Sequence, residues 1–127
     1  MTPERKEFLR NLYEAFNRRE IETLLSKMTP DVEWANGMEG GFVDGRDRVR
    51  EYWTKQFETI RSRLEPLRFE TDERGRSVVT VHYTIEAPDG RRLLEKTGRQ
   101  IFTIENGLIS RFELDDGEPP VARVLDL

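Results

Sequence analysis

Two amides, one phenol and a small group of charges are the side chains of this chain best suited to handling a small molecule. Asn36 and Gln100 each carry an amide donor and acceptor that can orient a carbonyl or hydroxyl. Tyr83 adds a hydroxyl on an aromatic body that packs well against apolar matter. Arg111 and Glu113 share one face of a strand-like segment, and Lys96 lies on the segment before it. Inside a cavity such a cluster activates water or binds a carboxylate; on an outer face it is a solvated or interfacial ion network. An acid such as Glu113 or Asp115 is the group to move a proton. His82, the single histidine, titrates nearest neutral pH, but it sits between Val81 and Tyr83 and so falls on the opposite, outer face.

The spacing of apolar residues marks out the elements that must position these groups. Thr2-Pro3-Glu4 opens a helix with a capping hydroxyl, a first-turn proline and an acid at the positive dipole end. Phe8, Leu9, Leu12, Ala15 and Phe16 carry it to about Arg18. Ile21, Leu24, Leu25 and Met28 mark a short second helix that Thr29-Pro30 ends. Asp31 to Ala35 alternates as a strand, and residues 36–45, with four glycines, read as a loop. That loop carries Met38 and Phe42 and is either a lid over a pocket mouth or a plain connector. Val49, Tyr52, Trp53, Phe57 and Ile60 form the apolar stripe of a third helix, from about Arg46 to Arg63.

The remainder is strand-like. Leu67 to Thr71 leads into a turn at 72–76, Pro88-Asp89-Gly90 is a hairpin turn, and Leu94 to Ile104 joins Leu108 to Leu114 at Glu105-Asn106-Gly107. Alternation turns Val79, Val81, Tyr83 and Ile85 inward, together with Lys96, Gly98, Gln100 and Phe102. On the last strand the inward set is either Ile109, Arg111, Glu113 and Asp115, or Leu108, Ser110, Phe112 and Leu114. Helices followed by an antiparallel meander is the α+β order. The expectation is one domain over 1–127, with its core at about 4–115. A tail over 116–127 follows, in which Pro119-Pro120 spaces off apolar residues from Val121 to Leu127.

Composition narrows the partners. Charged residues make up 36% of the 127, yet 21 basic and 25 acidic residues leave a net charge of only −4. Without a basic excess or a Lys/Arg run, nucleic acid is not expected as a partner. With no cysteine and one histidine, thiolate chemistry and multi-histidine metal sites within one chain are excluded, and no cofactor is implied. No segment has the length and apolarity of a membrane span, nor does the N-terminus carry a secretory stretch, so the expected location is the cytoplasm.

The helix ending in Asn17, then Asp31-Val32-Glu33-Trp34, then Gly45-Arg46-Asp47-Arg48-Val49-Arg50-Glu51-Tyr52-Trp53, then the three-strand meander, occur in a fixed order. Together, over about Glu4 to Asp115, this set resembles the nuclear-transport-factor-2-like superfamily in its SnoaL-like and ketosteroid-isomerase-like branch. The resemblance implies a cone: three N-terminal helices packed on a strongly curved, mostly antiparallel sheet that encloses a pocket. It also implies a small apolar ligand of steroid or polyketide kind and a homodimer paired through the outer sheet face. In ketosteroid isomerases an aspartate base works with a tyrosine and a protonated aspartic acid. Carried onto this chain, the tyrosine position falls on Leu12, the base on Asn36 and the protonated acid on Gln100. None of the three is retained, so steroid isomerisation is not expected.

The expected pocket residues are Leu12 on the first helix, Trp34 and Asn36 around the first strand, and Trp53 and Phe57 on the third helix. Val81, Tyr83, Gln100 and Phe102 join them from the meander, with Arg111 and Glu113 from the last strand. The expected function is binding of a small apolar molecule, with isomerase, cyclase or hydrolase chemistry left open. The alternative is a non-enzymatic dimeric module whose outer face presents Val78, Thr80, His82, Thr84, Leu93, Ile101 and Thr103.

Overall fold

Helix α1 (Pro3–Asn17) starts where the Thr2 hydroxyl accepts a hydrogen bond from the Arg5 N–H, with Pro3 in the first turn and Glu4 at the dipole's positive end. The computed structural model describes residues 1–115. After α1 come α2 (Ile21–Ser26), β1 (Met28–Ala35), β2 (Phe42–Asp44) and α3 (Arg46–Thr59). The chain then runs as β3 (Arg61–Thr71), β4 (Ser77–Glu86), β5 (Arg92–Glu105) and β6 (Leu108–Leu114). The strands form one sheet in the order β2-β1-β6-β5-β4-β3, antiparallel except where β1 runs parallel to β6. Three helices pack on one side of this open, curved sheet, which is the α+β architecture the sequence implies. The expected tail, 116–127, lies outside the described residues.

Curvature has a local cause. Ladder register shifts between Pro66 and Arg68, Ile85 and Glu86, and Thr103 and Ile104, and again within β1 between Met28 and Glu33. Each inserted residue bends its strand and sharpens the twist. Pro66 is tolerated because β3 is an edge strand, and the inserted Leu67 is left 55% exposed. The β5–β6 hairpin closes on Asn106 and Gly107 at φ 53° and 80°, the backbone a two-residue turn of this hand requires.

Four element boundaries differ from expectation, each because backbone groups find partners in the sheet. The second helix stops at Ser26 rather than reaching Met28. The Lys27 carbonyl accepts from the Ile109 N–H at 2.8 Å, and the Met28 carbonyl accepts from the Arg46 guanidinium. Met28 thus opens β1, three residues before the expected start. Inside the glycine-rich loop, Phe42–Asp44 pairs with Glu33–Ala35 as a short edge strand. The third helix ends at Thr59, not Arg63, and β3 starts at Arg61 rather than Leu67. Ser62 and Leu64 are buried while Arg61, Arg63 and Glu65 are exposed, a period of two that no helix can satisfy.

The last strand answers the open question by mixing both sets. Ile104 pairs with Ile109, but Thr103 pairs with Arg111, so Ser110 is the extra residue of a bulge. The phase flips there: Ile109 is buried before it and Phe112 after it. Arg111 and Glu113 consequently turn to the outer face with Thr103 and Ile101. On that outer face Val78 and Ile101 are only 3% and 8% exposed, a correction to their expected exposure, whereas Thr80, His82, Thr84, Leu93 and Thr103 are half-buried.

Candidate functional site

Between the helices and the inner sheet face lies a cavity of about 400 Å³, the size of a small-molecule site. Its walls are largely aromatic. The Trp34 ring stacks on Phe112 with centroids 4.1 Å apart and meets Trp53 edge-on at 4.9 Å. Phe102 stands 5.1 Å from Phe112 and takes Tyr13 against it edge-to-face at 6.3 Å. Two lining residues, Phe42 and Leu114, are 45% and 36% exposed, which puts them where the cavity meets solvent.

A hydrogen-bonded line of three side chains supplies the polar part of the wall. The Tyr13 hydroxyl donates to Gln100 Oε1 at 2.6 Å, and Gln100 Nε2 donates to the Tyr83 hydroxyl at 3.0 Å. Gln100 and Tyr13 are nearly inaccessible to solvent at 4% and 3%. Such a buried amide holds its place because both of its ends are satisfied. Burial, and secondarily the neighbouring Tyr83, push the Tyr13 phenol well above its ordinary pKa, so it stays a neutral hydrogen-bond donor.

Of the expected residues, Leu12, Trp34, Asn36, Trp53, Tyr83, Gln100, Phe102 and Glu113 line the cavity. Asn36 does so with its acceptor already engaged. Its Oδ1 receives the N–H groups of Met38 and Glu39 at 3.0 and 2.9 Å, an Asx turn that shapes the loop. Glu113 borders the cavity, but its carboxylate faces away and meets Arg76 at 3.2 Å and Arg111 at 3.6 Å. Three residues do not line it. Phe57 packs edge-on against Phe16 of α1, with centroids 5.3 Å apart. Val81 is wholly buried in the core opposite Gly98. Arg111 lies outside, paired with Glu33 at 2.7 Å and stacked over Phe42 at 4.2 Å. His82 also lies outside, with Nε2 3.0 Å from Glu95.

Sequence reasoning passed over Tyr13, Tyr52, Gln56 and Ser62, all of which line the cavity. Tyr13 follows Leu12 directly on α1. A buried helical stripe is at least about 100° wide and admits both; Leu9, Leu12, Tyr13 and Phe16 are all buried. Gln56 follows Val49 and Trp53 at seven and three residues, and a polar residue in such a stripe was the available signal. Tyr52 ties the loop to α3 by accepting the Gly37 N–H at 3.0 Å. Among the described residues no group of acidic, histidine or cysteine side chains could hold a metal ion, and no helix is long and apolar enough to cross a membrane.

Neutral donors and acceptors in an aromatic hollow can orient a ligand oxygen and polarise its bond. Residues 9–112 match the family model for the SnoaL-like domain. No curated protein matches the chain in sequence. An NTF2-like protein of unknown function from Burkholderia pseudomallei is 30% identical, aligns over 96% of this chain and 97% of its own, and has a TM-score of 0.77. TerC, co-crystallised with polyporic acid, is 25% identical over 95% of this chain and 97% of its own, with a TM-score of 0.79. The epoxide hydrolase/cyclase-like enzyme SalBIII shares the fold at 18% identity, over 90% of this chain and 91% of its own, with a TM-score of 0.75.

Proposed function

The chain belongs to the family of SnoaL-like domains, and from that we propose that it binds a small apolar molecule of polyketide or steroid kind and orients one ligand oxygen on Gln100. The observation that carries this reading is the buried Tyr13–Gln100–Tyr83 line in the wall of an aromatic cavity. Such a line places hydrogen-bond donors where a carbonyl or hydroxyl would lie, and flat aromatic walls favour a planar ring system. TerC's crystallisation with polyporic acid supports a ligand of this general kind. Polarisation of a bound carbonyl is the chemistry these groups favour over proton abstraction. Glu113, which borders the cavity, and Asp115 are paired with Arg76 and Arg99 at 3.2 and 3.1 Å.

The test is a thermal-shift series with steroids, aromatic polyketides and polyporic acid, run on the wild type and on Gln100→Leu. A true ligand at a hundred times its dissociation constant stabilises the wild type by about 2.7 kcal/mol. Gln100→Leu should weaken that ligand roughly tenfold, the value of one buried hydrogen bond. If no class shifts the wild-type transition, the reading fails.

A specific observation also favours a pairing of two copies through the outer sheet face. All three helices pack on the inner side, so no described helix covers the other. That face presents Thr80, His82, Thr84 and Thr103, each half-buried, beside the ion pairs of Arg111 and Glu33.

A further inference from the structure

We propose, resting on the small-molecule reading above, that Gln56 and Ser62 form a second polar end of the cavity, and that its ligand is an elongated ring system with an oxygen function at each extremity. Ser62 is the second residue of β3 and lines the cavity with Ile60 and Leu64, its neighbours two places away on either side. All three are buried, and so is Ile85, which faces Ser62 across the ladder. A serine breaks this apolar patch. It is 4% exposed, and its hydroxyl has no hydrogen-bond partner among the described residues. Nor is that oxygen sealed off: among the described residues only Thr29 Oγ1 is closed away without a partner, so the Ser62 hydroxyl opens on the cavity. Burying a hydroxyl unpaired costs free energy, which a ligand oxygen recovers.

Gln56 makes the same point from the helix side. Helical spacing sets it on the face of Val49, Trp53 and Ile60, all of them wholly buried. Its amide lines the cavity and likewise has no partner among the described residues. The Ile60 N–H donates to the Gln56 carbonyl at 2.9 Å, so both polar side chains belong to the corner where α3 gives way to β3. That corner lies far from Gln100. Ser62 pairs with Ile85 and Gln100 with Val79, six residues apart on β4, or roughly 20 Å of strand at the usual rise. Side chains reaching in from both ends of a concave face shorten this span to the length of a few fused rings. A hydroxyl and an amide each donate and accept, so the far function of the ligand is a hydroxyl or a carbonyl. Trp53, one turn before Gln56, meets Trp34 edge-on and sets an aromatic wall beside this end.

Estradiol and estratrienol form a matched pair that differs only in the hydroxyl remote from the phenol. Both are titrated against the wild type, Ser62→Ala and Gln56→Met, with tryptophan emission as the readout and circular dichroism as the check on folding. Estradiol should bind the wild type about tenfold more tightly than estratrienol, as one buried hydrogen bond allows. That ratio should fall to about one in Ser62→Ala and shrink in Gln56→Met. Without ligand, Ser62→Ala should melt no lower than the wild type, because its hydroxyl makes no bond within the described fold. Equal binding of the two steroids to the wild type, a preference unchanged in either variant, or a clear fall in the melting point of Ser62→Ala overturns the second polar end and leaves the cavity reading standing. Binding of neither steroid overturns both. Should Gln56→Met fail to fold, Ser62→Ala decides the matter.

Discussion

Tyrosines are where the residue scale makes its clearest demand. Of the three in the chain, burial and then the proximity of Tyr83 hold the Tyr13 phenol well above its ordinary value. Burial likewise pushes Tyr52 up to about 12, even though backbone N–H groups of Gly37 and Met38 favour its phenolate. Both folded-state values lie above the unfolded value of 10.0. The folded state therefore keeps these protons longer than the unfolded chain does. The stability they contribute is fully present below about pH 10 and is lost as pH rises from there through the raised values. A phenolate absorbance titration should show Tyr13 and Tyr52 ionising late, together with loss of the near-ultraviolet dichroism. A Tyr13 phenol ionising near its ordinary value in an intact fold would contradict the buried line.

At the scale of elements, Asn17 shows how one side chain joins a helix to a sheet. β3 is an edge strand, with backbone groups of Leu64 turned towards the end of α1. Asn17 Nδ2 donates to the Leu64 carbonyl at 2.8 Å, and its Oδ1 accepts the Leu64 N–H at 2.9 Å. The carboxamide thus stands in for a peptide group of a further strand and blunts the edge. Asn17→Ala leaves both backbone groups without this partner and should cost about 2 kcal/mol in urea unfolding. Asn17→Asp keeps the acceptor but sets a carboxylate against a carbonyl, and should recover less than half of that loss. Equal stability of wild type and Asn17→Ala would mean that α1 docks on apolar contacts alone. The bulge at Ser110 is the other decisive element-scale feature. One inserted residue moves every later side chain of β6 to the opposite face, so Phe112 joins the aromatic wall and Glu113 leaves it.

The described residues form a curved sheet with helices and a cavity on its inner side and an outer side that no described helix covers. Pairing through that outer face should give a species of twice the chain mass in sedimentation equilibrium. Arg or Glu at Thr80 should shift it to the monomer while leaving ligand-induced stabilisation in place, because Thr80 turns away from the cavity and pairs with Arg99. A wild type that sediments as a monomer at all concentrations would remove the pairing and leave the cavity reading untouched. Loss of ligand stabilisation in the Thr80 variants would show instead that the two faces are coupled.

The order of the helices and the long strands, the inward set of β4 and β5, and the Trp34, Trp53 and Phe102 part of the pocket wall were legible in the sequence. Each follows from short-range periodicity: Tyr83 and Gln100 sit two residues from Val81 and Phe102, and alternation puts them on one face. Membership in a cone-shaped family was legible too, from the order of its pieces. Only the tertiary structure decided that Tyr13 shares the inner face with Leu12, that Asn36 spends its acceptor on its own loop, and that a bulge sends Arg111 and Glu113 outward. These depend on contacts between residues far apart in the chain, such as the 87 positions separating Tyr13 from Gln100. Local pattern sets the phase of a helix or strand, but a partner element chooses which part of a broad stripe is buried and where a strand gains a residue.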